Sequence, residues 1–98
     1  MISTQEALTQ VRKIKKQLGA QQAFVFGSVA CNQQHELSDV DVIFVQETHK
    51  RFHHRIGDVL DLSPIDFPIE PLVYTPDEFM RLQTSPALKH MLEGSIRV

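Results

Sequence analysis

The chain has 98 residues, a net charge of −2, 42% hydrophobic and 22% charged residues, and one cysteine. That length fits one small domain spanning residues 1–98, and that balance excludes a disordered chain and gives no general case for direct nucleic-acid binding. A lone Cys31 cannot form an internal disulfide, the N-terminus is too polar for a secretory leader, and no apolar run approaches the ~20 residues of a membrane span, so a cytoplasmic protein away from membranes is expected.

The first helix is expected over 3–18. Ser3 and Glu6 have capping-box spacing, Leu8, Val11, Ile14 and Leu18 recur at helical intervals, and Gly19 is a natural stop. The basic run Arg12 to Lys16 then falls near the helix C-terminus, where it complements the dipole and keeps that face soluble. "AFVF", 23–26, is a short β-prone apolar run and reads as a buried strand. "DVDVIFV", 39–45, reads as a second.

Residues 49–61 suit another helix, with Phe52, Ile56, Val59 and Leu60 inward; Gly57 weakens it by about 1 kcal/mol. His49 and His53 have a spacing that could hold zinc on a helix face, but without a third nearby ligand a solvated face is expected. "PIEPLVY", 68–74, is a third strand in which Pro71 demands an edge or a strand end. Thr75, Pro76 and Glu78 start a further helix, and Ser85, Pro86 and Gly94 bracket a last one. "SIRV" closes the chain as a short strand. The sum is an α/β domain, a small mixed β-sheet flanked by helices.

The second strand poses a chemical question. Asp39, Asp41, Ile43 and Val45 share one face, yet that face begins acidic and turns apolar within two residues. A capped turn and a wet strand end are one explanation. The other is a pair of carboxylates at a strand mouth, chelating a hard divalent ion such as Mg²⁺ together with substrate phosphates. Gly27 and Ser28 follow the first strand, where a backbone without Cβ can approach a phosphate and N–H groups point outward. For both features to meet, the first two strands must be antiparallel. A third strand parallel to the second, joined to it by the 49–61 helix, would bring Glu70 to the same edge. Asp66 competes for that role but precedes Pro68 and is expected in the loop.

The combination Gly27-Ser28, ten residues, Asp39-x-Asp41 between two buried strands resembles the signature of the nucleotidyltransferase superfamily that includes DNA polymerase β and kanamycin nucleotidyltransferase. Its size and the later "IEPLVYTPDEF" look closest to the minimal nucleotidyltransferases of bacteria and archaea. The resemblance covers roughly residues 20–80 and implies the polymerase β palm-like fold. By it, Gly27 and Ser28 bind the triphosphate of an NTP, most simply ATP. Asp39, Asp41 and Glu70 are implied as catalytic residues and as the metal site for Mg²⁺. The implied reaction transfers a nucleoside monophosphate to a hydroxyl and releases pyrophosphate. Such proteins often stand beside a small helical HEPN protein, a toxin-like RNase, act as its antitoxin, and in some cases modify it with AMP. A homo- or hetero-oligomer is compatible with this. Cys31 and Asn32 depart from the family loop, which places an arginine and a second glycine there. They support an alternative in which the chain neutralises a HEPN-type partner by contact alone.

Overall fold

A computed structural model describes residues 3–27, 30 and 39–98. The elements run α1 (Thr4–Leu18), β1 (Gln22–Phe26), β2 (Val40–Val45), α2 (Phe52–Leu62), β3 (Ile69–Tyr74), α3 (Pro76–Leu82), α4 (Pro86–Glu93) and β4 (Ile96–Arg97). Ser28, Cys31 and Asn32 lie outside the described residues.

The local signals explain the boundaries. The Ser3 side chain accepts the backbone N–H of Glu6 at 3.1 Å and starts α1. Gly19 ends α1 in the left-handed region at φ 77°, its N–H returning to the carbonyls of Lys15 and Lys16. At α3 the capping box is complete: Thr75 Oγ1 accepts from the Glu78 N–H at 3.2 Å, and Glu78 accepts from the Thr75 N–H at 2.8 Å.

The sheet order is β3-β2-β1-β4. β1 pairs antiparallel with β2 and β4, while β2 and β3 are parallel with α2 as their crossover. These are the pairings that the site argument requires. β3 is an edge strand. Pro68 and Tyr74 direct their carbonyls to β2, bonding Val40 and Gln46. The backbone N–H and C=O groups of residues 69, 71 and 73 therefore point away from β2, and Pro71, which has no N–H, loses no ladder bond.

Alternation divides β2 between two cores. Val40, Val42 and Phe44 face α1 and α2 and meet Ala7, Val11, Ile14 and Val59. Ile43 and Val45 face α3 and α4 and meet Phe79 and Leu88. Phe24 stacks on Phe79 with ring centroids 5.4 Å apart. Each such buried side chain contributes about 1.5–3 kcal/mol.

α2 departs from expectation. It begins at Phe52, so His49 precedes the helix and does not share a face with His53. The residues it buries are Arg55 and Val59, while Phe52 and Leu60 are exposed rather than inward. Arg55 reaches the edge of β3. Its guanidinium donates to the carbonyls of Lys50 at 2.9 Å and Val73 at 3.1 Å, and to both carboxylate oxygens of Glu78. One side chain thus ties α2, the free edge of β3 and the start of α3 together.

The Arg55 hydrogen bonds, with the Thr75 N–H second, hold Glu78 down at about 2 against an ordinary 4.5. Because the folded value lies below the unfolded one, this stabilisation is complete above pH ~4.5 and is lost as the pH falls toward 2. The Glu78 side chain is 31% exposed, so water screens the pair. Glu78→Gln is expected to destabilise the domain by about 2 kcal/mol at pH 7, since Arg55 keeps its charge without a counter-ion. Urea titrations at pH 7 and pH 3 check this: the gap between parent and variant should narrow in acid, and a gap independent of pH contradicts the ion-pair account.

Candidate active site

The register of the sheet assembles the site. Phe26 pairs with Asp41 across the antiparallel ladder, so Gly27, the next residue, stands beside the mouth of β2. Asp41 pairs in turn with Glu70 across the parallel ladder. Asp39 lies one residue before β2 and is exposed; Asp41 is half-buried; Glu70 is exposed at the start of β3. α3 and α4 cover Ile43 and Val45 further along the same face. The apolar half of the strand is thus roofed by helices, and its acidic half lies at the end of the sheet where Gly27 follows β1.

Gly27 is required twice over. Its φ of 75° lies where a residue with a Cβ is strained. A Cβ at this position would also overlap the Asp41 carboxylate. Backbone and carboxylate therefore meet in direct contact at the point where β1 ends.

The acids interact as like groups. Glu70 is pushed up from its ordinary value by its hydrogen bond to Asp41, with the charges of Asp39 and Asp41 adding to it. Asp41 is also raised, first by partial burial and further by the charge of Asp39, while the Glu70 bond opposes the rise.

Of the expected site residues, Gly27, Asp39, Asp41 and Glu70 converge at one sheet edge. Asp66 does not belong to β3; it lies exposed in the turn before it. Ser28 falls outside the described residues. Among the described residues no three His, Cys, Asp or Glu side chains are set as a metal centre, the histidines of α2 included. The direct Gly27–Asp41 contact was signalled only indirectly, by the register that an antiparallel pair imposes.

The chain matches the nucleotidyltransferase domain family over residues 8–90, which spans all these groups. The chain belongs to the nucleotidyltransferase domain family. Its fold is that of a candidate nucleotidyltransferase from Sulfolobus solfataricus known by crystallography, with a TM-score of 0.57, 18% identity, and coverage of 99% of this chain and 86% of that one. No curated protein matches it in sequence. A nucleotidyltransferase domain transfers a nucleotide, in general with a divalent metal such as Mg²⁺.

The residues fit such an ion in kind. Oxygen donors of hard character gather at the mouth, and the charge of Asp39 adds to the raised values of both Asp41 and Glu70. In register, Asp41 and Glu70 stand side by side across the parallel ladder, and Asp39 lies two residues before Asp41.

Gly27→Ala tests the glycine. The variant is expected to fold with a loss of about 1–2 kcal/mol from the left-handed backbone and to lose Mg²⁺-dependent ATP binding as the Asp41 carboxylate is displaced. Denaturation and calorimetry measure the two effects. Parental ATP affinity in a folded variant would remove Gly27 from the site.

Proposed function

We propose that this nucleotidyltransferase domain moves a nucleoside monophosphate, most simply AMP from ATP, to a hydroxyl of a partner protein, and that the partner is a HEPN-type toxin for which the chain is the antitoxin. The observation that carries the transferase reading is the register Phe26–Asp41–Glu70. It sets a glycine backbone, a central-strand aspartate and an edge-strand glutamate side by side at one open sheet edge. The partner is supported by the likeness of the loop and of "IEPLVYTPDEF" to minimal nucleotidyltransferases.

In this reading the acceptor oxygen attacks the α-phosphorus of the NTP. The bond from that phosphorus to the bridging oxygen breaks, and pyrophosphate leaves. Gly27 lets the backbone approach the phosphates closely, with Ser28 beside it in the chain. Asp39 and Asp41 would hold Mg²⁺, with Glu70 as the third acidic ligand. When bound, the ion neutralises charge on the phosphates. Glu70 would orient the acceptor hydroxyl and take its proton. The rival reading, neutralisation by contact alone, draws support from Cys31 and Asn32 in the loop.

Glu70→Gln keeps the size of the side chain and removes its charge. Transfer of AMP to the partner should fall by a factor of about 100 or more, the scale of a lost general base, while ATP binding survives. Asp39→Asn with Asp41→Asn should abolish Mg²⁺-dependent ATP binding. Asp66→Asn, in the turn, should leave both intact. Intact-mass measurement of the partner after incubation with ATP and Mg²⁺ reads transfer. If Asp66→Asn abolishes transfer and Glu70→Gln does not, the acid assignment is wrong. If no variant matters while the toxin is still neutralised, contact alone accounts for the function.

A further inference from the structure

The outer side of α2 carries apolar surface that the fold does not use. Phe52, Ile56 and Leu60 recur at i, i+4 and i+8, one stripe along an 11-residue helix. Phe52 is 39% exposed and Leu60 49%. Phe52 leans on Tyr74, and Arg55 takes the outward carbonyl of Val73, so the stripe lies toward the free edge of β3. That edge is itself closed to strand addition, since Pro71 offers no donor and the Val73 acceptor is occupied.

We infer that this stripe is a self-association surface, on which α2 packs antiparallel against α2 of a second copy of this chain about a two-fold axis at Ile56. The spacing is self-complementary: Phe52 meets Leu60 of the second copy, Ile56 meets Ile56, and Leu60 meets Phe52, as an isologous contact requires.

Charge points to the same partner. The first turn of α2 has no acid and the last turn no base, the reverse of what its dipole favours. Arg51, His53 and His54 sit at its start, Asp61 and Asp66 at and beyond its end. Antiparallel pairing sets each basic end against the other copy's acidic end and opposes the two dipoles. Lys50 and Asp58 are already paired within the chain at 2.7 Å and take no part.

Sedimentation equilibrium at tens of micromolar should give twice the mass of one chain. Leu60→Lys, with an unchanged circular dichroism spectrum, should give a monomer. Met80→Lys, at an exposed apolar site on α3, should remain dimeric. Independently, Ile56→Cys in a Cys31→Ser background should form a disulfide-linked dimer on mild oxidation, as a residue on the axis must, and Met80→Cys should not. A parent that stays monomeric overturns the inference and leaves the stripe to another partner. So does a dimer that persists in folded Leu60→Lys. Should Leu60→Lys fail to fold, the cross-link decides, and its absence in a dimeric protein overturns the proposal.

Discussion

Two carboxyls that repel each other, Asp41 and Glu70, are held side by side because the strands that carry them are paired by buried hydrocarbon. β2 is the central strand for this purpose. Val42, Ile43, Phe44 and Val45 are all buried, and at about 1.5–3 kcal/mol each they fix its register against both neighbours. A slip of one residue would turn Val42 and Phe44 out of one core and Ile43 and Val45 out of the other. The register that avoids this sets Asp41 opposite Phe26 on one side and Glu70 on the other. Apolar packing thus dictates the position of an acidic cluster that folding alone does not favour, the usual relation between a stable scaffold and a functional site.

The rest of the molecule supports that arrangement. Glu70 lies on an edge strand, which has a ladder on one side only. Arg55 supplies the missing restraint by binding the outward carbonyl of Val73 and the α3 cap residue Glu78. Among the described residues, α3 and α4 cover Ile43 and Val45, further along the same face as Asp41.

Much of this was legible in the sequence because the signals are local or chemical. The caps at Ser3, Gly19 and Thr75 depend on residues three or four positions apart. The strand pairings followed from requiring a glycine turn and acids to meet, and the structure has them. The orientation of α2 was not legible. Its apolar residues suggested an inward face of Phe52, Ile56, Val59 and Leu60, but the acceptors at the β3 edge draw Arg55 inward and roll Phe52 and Leu60 out. A helix turns to satisfy partners that lie far away in sequence, and periodicity does not name them. The same limit applies to the acids. Spacing placed Asp39, Asp41 and Glu70 at one edge, but not the register that sets Glu70 directly beside Asp41.

The central claim is that Asp41 and Glu70 form a like-charged pair whose counter-ion is a divalent cation brought with a nucleotide. Carbon-detected NMR titration of the side-chain carboxyls tests it most directly. Without metal, Asp41 and Glu70 should titrate above their ordinary values of 3.8 and 4.5, and in a linked manner. With Mg²⁺ and a non-hydrolysable ATP analogue, both should fall below those values while Asp66 is unmoved. Ordinary, independent titration without metal, or a pair indifferent to Mg²⁺ and nucleotide together, would contradict the account.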